Sequence, residues 1–405
     1  MQEKTLPKPK IRTSNIHSSE FGAISYDIFG SPYQRKIMKI YLQFWEMKKL
    51  QSILNKKLLI LIYGLFLITK LSAFQLGNLD VPYQLTPTKI AEEVRFVAAN
   101  NYQTFIIKND NTLWLSGVKD YRDALPPSKI NLLSDFVKIQ DDVKEIAVCD
   151  ENVMILKNDS SLFCMGNLPK EIKSNAMKFQ YVSNPIFIDS GVKKISVGNK
   201  CFIYVKEDGS TYYFGKLSSS SIGMSIEPKI IPYKSIDIST DRGSLFILTD
   251  NNELLATSNG ESFKKIDSNV IKISGNLFIK EDSSLFAFGN VTTGSLGVTV
   301  KSQDVPQFVM KAVKDVIFNY WHSLIIQNDG SLYSCGGIFG KPNSTTYSYM
   351  GFLGDGSGKP QLMPVKIAEN VIWGAVSDFT TFFIKEDGSL LGCGLNNYDE
   401  TVLYM

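Results

Sequence analysis

Residues 325–336 read IIQNDGSLYSCG, and residues 383–394 read FIKEDGSLLGCG. In both stretches an apolar run meets a short polar turn that contains Asp-Gly, and a second apolar run then ends in glycine. Asp-Gly suits a tight hairpin turn because glycine readily adopts the positive φ that such a turn requires. Each stretch therefore predicts a β-hairpin, and the two near-copies predict a repeat protein.

Five further copies of this hairpin stretch occur along the chain, and the one at 247–258 is the weakest. A recurring period of roughly 40–50 residues is typical of a solenoid, a propeller or an array. The seven copies cover 106–117, 155–166, 204–215, 247–258, 278–289, 325–336 and 383–394. The turn aspartates are Asp110, Asp159, Asp208, Asp282, Asp329 and Asp387. We interpret them as turn formers, because one carboxylate per hairpin is a poor calcium site.

The residue after the aspartate position differs between copies. Glycine and asparagine tolerate positive φ well there, whereas serine does so at some cost. We therefore expect the two serine turns to differ in type from the others. The position holds Gly209, Gly330, Gly388, Asn111, Asn252, Ser160 and Ser283. The glycines that end the repeated stretch, which we interpret as turn and packing residues, are Gly117, Gly166, Gly215, Gly289, Gly336 and Gly394.

Another strand-like stretch precedes each hairpin, as in VKKISV at 192–197 and VKDVIF at 313–318. Three or four short strands in roughly 45 residues are typical of a propeller blade, whose strands are covered on both faces by neighbouring blades. The pattern predicts an all-β, seven-bladed propeller over residues 74–405. Since this segment starts and stops partway through a repeat, we expect its two ends to share one blade, which would close the ring and leave no open sheet edge.

The N-terminal part of the sequence predicts export. Residues 47–73 contain a basic stretch, a short apolar stretch and the small pair Ser72-Ala73, which is typical of a signal peptide cleaved after Ala73. The uncharged stretch 58–69 is shorter than the roughly 20 residues of a membrane helix. Since signal peptides normally start a chain, we expect translation to start at Met47 and the polar lead 1–46 to be disordered or not translated. The alternative is that 58–69 is an uncleaved anchor and that 1–46 is a cytoplasmic tail. We expect a secreted or periplasmic protein.

The composition is that of a folded protein, with 44% apolar and 20% charged residues. A formal charge of +3 without a Lys/Arg stripe gives no reason to expect a nucleic-acid partner. We expect the protein to be a monomer. The odd number of cysteines and the lack of CxxC spacing argue against a disulfide framework and a zinc site. We expect Cys164, Cys335 and Cys393, which lie at or near the end of the repeated stretch, to be buried core residues instead. The five cysteines are Cys149, Cys164, Cys201, Cys335 and Cys393.

The best copy of the repeat resembles that of the regulator of chromosome condensation family. It runs from Trp321-His322-Ser323-Leu324 through the turn at 328–330 to Gly336, and a Gly-x-Leu-Gly stretch follows at 351–354. A second Gly-x-Leu-Gly lies at 294–297, and residues 394–398 are similar to the family's Gly-x-Asn-x-Tyr segment. The resemblance covers about residues 74–405 and implies a seven-bladed propeller, here a divergent member of secreted bacterial type.

The sequence departs from the family in ways that bear on function. Only His322 occupies the position of the family's recurring histidine. The family's best-known activity is nucleotide exchange on a Ran-type small GTPase, while its secreted bacterial relatives include a propeller-type β-lactamase inhibitor. The resemblance therefore leaves two classes open: an extracellular recognition or inhibitor scaffold, and an intracellular exchange factor or regulator of a small GTPase.

The residues themselves favour binding over catalysis. The sequence has no metal-spaced His/Cys cluster, no GxSxG and no GxxxxGK, so we expect no enzyme activity and no cofactor. We predict a non-catalytic propeller that binds another protein, with the membrane involved only if 58–69 is an anchor. A sugar-binding propeller is a third class, but only four Trp are present. Aromatic residues are enriched at interface hot spots. The candidate partner-binding residues are Trp321, His322, Phe339, Tyr347 and Tyr349.

Two parts of this candidate binding set are also consistent with a purely structural role. The insertion at 338–350, which carries the three later aromatic residues, is also consistent with a variable solvent loop. His322 is also consistent with a core histidine of the repeat.

Overall fold

The computed structural model describes only part of the sequence, and the described part consists of strands, turns and bends. The predicted all-β class is therefore confirmed. The predicted lead 1–46, the predicted signal peptide 47–73 and the possible anchor 58–69 lie outside the described residues. Within the described ranges, no helix is long and apolar enough to span a bilayer. The described residues are 83–118, 132–173, 176–217, 223–241, 243–257, 262–289, 293–298, 303–337 and 351–395.

Antiparallel strands form four four-stranded sheets in which neighbouring strands are also neighbours in sequence. The first sheet comprises β2 (Val94–Ala99), β3 (Gln103–Lys108), β4 (Leu113–Val118) and β5 (Leu132–Gln140). The second comprises β6 (Val143–Cys149), β7 (Asn152–Lys157), β8 (Leu162–Lys173) and β9 (Ala176–Asp189). The other two comprise β17 (Val270–Ser274), β18 (Leu277–Lys280), β19 (Leu285–Gly289) and β20 (Gln303–Met310), then β21 (Val313–Phe318), β22 (His322–Gln327), β23 (Leu332–Gly336) and β24 (Gln361–Ala368).

A seven-stranded sheet lies between the second and third of these in sequence. It comprises β10 (Val192–Gly198), β11 (Cys201–Lys206), β12 (Ser210–Lys216), β13 (Met224–Asp241), β14 (Ser244–Thr249), β15 (Leu254–Thr257) and β16 (Lys264–Asp267). The long strand β13 pairs with β12 through its first part and with β14 through its second part. It therefore serves two hairpin units at once.

The terminal sheet joins the two ends of the described chain. It comprises β25 (Val371–Val376), β26 (Thr380–Lys385), β27 (Leu390–Leu395) and β1 (Tyr83–Ala91). Strand β1 pairs antiparallel with β27, from Tyr83 opposite Leu395 to Ala91 opposite Leu390. The early and late segments thus share one sheet, in the manner of a propeller.

Every hairpin turn places the residue after the aspartate position in the left-handed region. Ser160 and Ser283 have φ of 65° and 62°, close to those of Asn111 and Gly209. In the serine turn the Ser160 N–H donates to Lys157 O at 3.1 Å, as the Gly209 N–H does to Lys206 O at 3.0 Å. The expectation that the serine turns differ in type is wrong. The surrounding hydrogen bonds hold the turn geometry, at a cost of roughly 1–2 kcal/mol for a residue with a Cβ.

The hairpin turns also connect neighbouring units. The carbonyl oxygen of the left-handed residue accepts a hydrogen bond from the start of the next unit, as Asn111 O does from the Val143 N–H at 2.9 Å. Equivalent bonds join Ser160 to Val192, Gly209 to Ser235, Asn252 to Val270, Ser283 to Val313, Gly330 to Val371 and Gly388 to Val94. The last of these returns from the terminal sheet to the first sheet.

The core lies between neighbouring units, as predicted for stacked blades. The second strand of a typical unit, such as β3, has five successive buried residues, from Gln103 to Ile107, so both of its faces are covered. One buried cluster combines Met154 and Leu162 of the second sheet with Phe202 and Tyr204 of the next. Cys164, Cys201, Cys335 and Cys393 are buried free thiols. This confirms the expectation for core cysteines.

The first strands lie on the inner side of the arrangement. Each first strand contacts the next one along the chain: β2 contacts β6, β6 contacts β10, β10 contacts β13, β13 contacts β17, β17 contacts β21, and β21 contacts β25. Strand β25 in turn contacts β2. Outer and inner strands of successive units are joined by short linkers in which a residue such as Asp142 (φ 63°) or Ala312 (φ 57°) is left-handed. The described chain is thus a propeller-like set of sheets with first strands innermost.

Candidate partner-binding face

The turn aspartates stabilise their own hairpins. Asp329 Oδ1 accepts a hydrogen bond from the Ser331 N–H at 2.8 Å, and Asp387 Oδ1 accepts one from the Ser389 N–H at 2.8 Å. Asp110, Asp159, Asp208 and Asp282 accept the same bond from the residue two positions later. These bonds hold the pKa of Asp329 and Asp387 below the usual range. Among the described residues no group of three or more His, Cys, Asp and Glu side chains could hold a metal ion.

The repeat glycines hold the opposite ends of the hairpins close together. Gly117, Gly336 and Gly394 have φ of 98°, 125° and 115°. A Cβ at each would collide with the carbonyl oxygen of the residue just before the second strand, which is Tyr102, Trp321 or Phe379. A Cβ on Gly166 or Gly215 would likewise meet a backbone carbonyl oxygen, whereas one on Gly289 would meet the side-chain amide of Asn276. We call the segments between first and second strands the inner loops. The glycines therefore fix the backbone of the inner loops.

His322 lies in the interior. Its side chain is fully buried, its Nε2 lies 2.8 Å from Thr381 Oγ1, and its ring centroid lies 4.8 Å from that of Phe352. Burial lowers the pKa of His322 to about 3, so the ring is neutral at physiological pH. A partner at the surface cannot contact this ring in the described conformation. Its geometry is that of a core histidine of the repeat.

Trp321 lies in an inner loop and is partly exposed. Its ring meets that of Tyr320 edge to face, with centroids 5.1 Å apart. The Trp321 N–H donates to Asn319 Oδ1 at 3.0 Å. The other predicted partner-binding residues, Phe339, Tyr347 and Tyr349, lie outside the described residues.

Two neighbouring inner loops repeat the chemistry around Trp321. The Tyr102 N–H donates to Asn100 Oδ1 at 2.9 Å, and the Phe379 N–H donates to Ser377 Oγ at 3.4 Å. In each loop a polar residue therefore caps an aromatic residue two positions later. Both aromatic side chains are partly exposed. Sequence reasoning singled out Trp321 but missed Tyr102 and Phe379, although the shared spacing of cap and aromatic residue just before the second strand would have identified them.

Asp378 ties these three loops together. Its Oδ2 accepts a hydrogen bond from Asn101 Nδ2 at 2.8 Å, and its own N–H donates to Asn101 Oδ1 at 3.0 Å. Its Oδ1 lies 3.3 Å from the donor Asn319 Nδ2. The loops belong to three successive sheets, so the bonds hold their aromatic residues in one neighbourhood. We call Tyr102, Tyr320, Trp321 and Phe379 the aromatic patch.

Carboxylates surround the inner-loop end of the first strands. Asp150 accepts a hydrogen bond from the Asn199 side-chain amide. The Cys149 thiol at the end of β6 has a pKa that is raised first by burial and then by the negative charges of Asp150, Asp378 and Asp241. These three carboxylates come from three separated units. Asp150 follows β6, Asp378 follows β25, and Asp241 ends β13, so each lies at the inner-loop end of its own unit.

The third residue of each first strand points to a common interior. Lys272 Nζ lies 2.6 Å from Asp315 Oδ2, and Lys194 Nζ lies 3.8 Å from Asp237 Oδ1. Phe96 and Trp373 have ring centroids 4.8 Å apart. The seven residues at this position, which we call the axial belt, are Phe96, Glu145, Lys194, Asp237, Lys272, Asp315 and Trp373.

Charges alternate along the axial belt and leave one carboxylate over. Burial raises the pKa of Glu145, and the positive charge of Lys194 opposes that shift. Burial likewise raises the pKa of Asp237, and the positive charge of Lys194 again opposes the shift. Asp315 has the close lysine described above, whereas no described lysine or arginine lies within ion-pair distance of Glu145. The belt fills the inner space with charged and aromatic side chains. Glu145 is the belt carboxylate that has no lysine or arginine within ion-pair distance among the described residues.

The opposite ends of the first strands carry positive charge. The second residues Lys144, Lys193 and Lys314 are exposed, and the Arg95 guanidinium donates to Val143 O at 2.6 Å. These residues lie on the hairpin-turn side of the belt, which also carries the turn aspartates.

No protein-family model matches the sequence, and no curated protein matches it either. Solved structures do match the fold. Human WBSCR16 is 13% identical with a TM-score of 0.58, over 77% of this chain and 89% of that chain. Prp20p from Saccharomyces cerevisiae, described together with its binding to Gsp1p and histones, is 14% identical with a TM-score of 0.57, over 75% of this chain and 82% of that chain.

A second structure of the yeast protein gives the same result. Yeast RCC1 (Prp20) in complex with Kap60 is 15% identical with a TM-score of 0.58, over 76% of this chain and 82% of that chain. At such identities the likeness concerns the fold alone. It supports the propeller fold that the repeat resemblance implies.

Proposed function

We propose that this protein is a non-catalytic, seven-bladed propeller that binds another protein through its inner-loop face. The observation that carries the proposal is the aromatic patch, which three successive sheets build with the same capped geometry. Tyrosine and tryptophan are enriched among the residues that dominate binding energy, and rigid placement lowers the entropic cost of binding. The inner-loop face thus combines aromatic anchors with a fixed backbone.

Seven blades and a closed ring are part of the proposal. The seven turn-to-strand hydrogen bonds support it, because the bond from the Val94 N–H to Gly388 O returns to the first unit. The pairing of β1 with β27 and the contact of β25 with β2 support it as well. In this reading the seven-stranded sheet is two blades that share β13.

The histidine and the thiols of the described part support a binding role. His322 is buried and neutral, and the described cysteines have thiol pKa values raised by burial, which suits packing more than nucleophilic attack. The neutral thiol of Cys335, for example, has a pKa of about 12.

We further propose that the protein acts outside the cytoplasm, because residues 47–73 have the pattern of an export signal. N-terminal sequencing of protein purified from its native cells tests this. A chain that starts at Phe74 supports the proposal. A soluble intracellular chain that retains Met1 would overturn it.

The second candidate is a regulator of a small GTPase. Its support is the fold shared with Prp20, a protein that binds Gsp1p, and the hairpin formed by β8 and β9. Beyond Gly166 this hairpin continues through the pairs Leu168–Gln180 and Lys173–Ala176, past the point where β4 ends. A nucleotide-release assay on a panel of small GTPases tests this candidate. Release accelerated by the protein, and lost when the hairpin is shortened, would favour it over the first proposal.

A photocrosslinking experiment tests the binding face. The full chain carries a benzoyl-phenylalanine in place of Tyr102 in one variant and in place of Ile372 in the control. Ile372 is exposed on the hairpin-turn side, so it reports the opposite end. We expect a discrete crosslinked protein from position 102 after irradiation of intact cells. Crosslinking from position 372 alone would contradict the proposed face.

A further inference from the structure

We propose that a cleft between the hairpin β11–β12 and the hairpin β14–β15 binds a neutral sugar residue. The cleft has a volume of about 430 Å³. Small-molecule sites typically have volumes of roughly 300–1,000 Å³. The cleft lies between residues 232–234 of β13 and the turn that joins β14 to β15, at the hairpin-turn end of both units. The aromatic patch lies in the inner loops at the other end, so this site goes beyond the proposed function.

The cleft is present because the fourth hairpin lacks a side-chain pair that other hairpins have. Lys108, at the end of β3, places its Nζ 4.9 Å from the ring centroid of Trp114 in β4. Thr249 and Leu255 occupy these two positions in the fourth hairpin, and both line the cleft. Their shorter side chains leave open the space that the lysine and the ring fill elsewhere. Within the described residues the same pair recurs as Lys157–Phe163, Lys206–Tyr212 and Lys280–Phe286.

An aromatic pair forms one wall of the cleft. Tyr233 of β13 and Phe263, just before β16, have ring centroids 4.8 Å apart. Phe263 packs against the buried cluster that contains Leu255, whereas Tyr233 is 37% exposed. The core therefore anchors one ring, and that ring holds the other at the surface. Such a wall is a rigid apolar surface for the C–H groups of a sugar ring.

The turn of the fourth hairpin leaves polar side chains without a structural task. In the other six turns the aspartate accepts a hydrogen bond from the N–H two residues later. Here the Glu253 N–H donates to Thr249 Oγ1 at 3.2 Å, and Asn251 at the aspartate position makes no such bond. Asn251 and Asp250 line the cleft, and neither side chain has a hydrogen-bond or ion-pair partner in the described part of the chain. A carboxylate accepts hydrogen bonds and an amide both donates and accepts them, which suits a ligand rich in hydroxyl groups.

The charges of the cleft favour a neutral ligand. Its charged lining residues are Lys234, Lys265, Asp250 and Glu253, two of each sign. Lys265 Nζ lies 2.5 Å from Glu253 Oε1, so these two charges offset each other. Asp250 repels an anion, and Lys234 repels a cation. A sugar ring is uncharged, has apolar C–H groups and carries hydroxyl groups around its edge, so it matches the wall, the polar groups and the charge balance.

Saturation-transfer NMR of the full chain tests the site with the neutral probes cellobiose, lactose and N,N′-diacetylchitobiose. Chitobiose, whose amino groups are free, and lactobionate are the cationic and anionic probes of similar size. We expect transfer to at least one neutral probe, and weaker transfer to both charged probes. Asp250→Ala should weaken binding of that neutral probe about tenfold, because hydrogen bonds to a charged acceptor are lost. Glu386→Ala makes the matching change in the seventh hairpin and should leave binding within about twofold of the wild type.

A second variant fills the cleft with the residue types that other hairpins use. Thr249→Lys combined with Leu255→Phe copies the pair at Lys280 and Phe286, and it should abolish transfer to the neutral probe. Unfolding curves confirm that this variant is folded, and Tyr233→Ala at the exposed wall replaces it if it is not. Transfer to none of the neutral probes, undiminished transfer in the filled variant, or stronger binding of a charged probe overturns the inference. A protein crosslinked from position 102 would then still support the proposed function, since none of these changes lies in the inner loops.

Discussion

His322 is a titratable residue in a fully buried position, and its energetics can be measured. Burial lowers its pKa to about 3 from the usual 6.5, so the unfolded chain takes up this proton at a higher pH than the folded chain. The free energy of unfolding therefore falls as the pH decreases from 6.5 towards 3, by up to about 1.4 kcal/mol per pH unit. His322→Gln removes this contribution. We expect its urea-unfolding free energy to fall less steeply over the same range, and equal slopes would contradict the buried neutral ring.

Gly336 tests the role of the repeat glycines. Its φ is 125°, and an added Cβ would meet Trp321 O and lie 2.6 Å from His322 Cα. Gly336→Ala should therefore lower the free energy of unfolding by about 3 kcal/mol or more, because backbone must move. Gly191→Ala is the matched control, since Gly191 has φ +65° but its nearest contact is 3.9 Å away. It should cost about 1 kcal/mol. If chemical denaturation shows that both variants lose the same free energy of unfolding, crowding at Gly336 is unimportant.

The strand pairs that could be predicted are those whose signal is local. Asp329-Gly330 predicts the turn, and the apolar runs on both sides predict the strands. The hairpin β22–β23 therefore follows from neighbouring residues. The burial of Phe105 to Ile107 in β3 followed as well, because a run of apolar residues without polar alternation has no exposed face. The burial of Gln103 and Thr104 in the same strand did not follow from the sequence. The aromatic residue Trp321 was found for a similar reason, since it adjoins the best copy of the repeat.

Elements that depend on distant contacts could not be predicted. Nothing in residues 224–241 indicates that one strand continues from one unit into the next, because that continuity depends on the partners β12 and β14. Ala312 and Asp142 adopt positive φ without a sequence signal, since the neighbouring strands impose the linker geometry. The bridge from Asn101 to Asp378 joins residues at opposite ends of the chain. For that reason the sequence does not show that the loops of Tyr102, Trp321 and Phe379 lie together.

The buried carboxyl group of Glu145, in the first strand β6, leads to a prediction about stability and pH. Glu145 is the unmatched carboxylate of the axial belt, and burial raises its pKa above the usual 4.5. The folded chain then holds this proton more tightly than the unfolded chain, so the stability present below pH 4.5 is lost as the pH rises through the raised value. Glu145→Gln should raise the free energy of unfolding at neutral pH by about 1–2 kcal/mol. It should have little effect in acid.

Two variants control for this effect. Asp315→Asn removes the partner of Lys272 and should destabilise at neutral pH, opposite in sign to Glu145→Gln. Glu386→Gln removes an exposed carboxylate and should leave the free energy of unfolding nearly unchanged. The measurement is urea denaturation from pH 4 to pH 8, in roughly one-unit steps. A Glu145→Gln variant less stable than the wild type at neutral pH would show that Glu145 has a stabilising partner in the belt.

At the scale of the whole molecule, the belt and the inner-loop face exist only if the ring is closed. Lys194 and Asp237 belong to neighbouring units, but Phe96 and Trp373 meet only because the terminal sheet returns to the first sheet. The same closure brings Asp378 to Asn101. The fold and the candidate binding face therefore both depend on the contacts between the two ends of the described chain, among them the pairing of β1 with β27.

The closure can be tested with a disulfide between β1 and β27. Lys89 lies opposite Leu391, so Lys89→Cys combined with Leu391→Cys places two thiols on directly paired residues. Because the bridge closes a loop that contains most of the chain, the oxidised form should be more stable than the reduced form of the same variant by about 3–5 kcal/mol. Lys89→Cys alone is the control, and the native buried thiols at Cys164 and Cys393 should not compete. If the two introduced thiols fail to form a disulfide under mild oxidation, the two ends do not share one sheet in solution. Both the proposed ring and the proposed binding face would then be wrong.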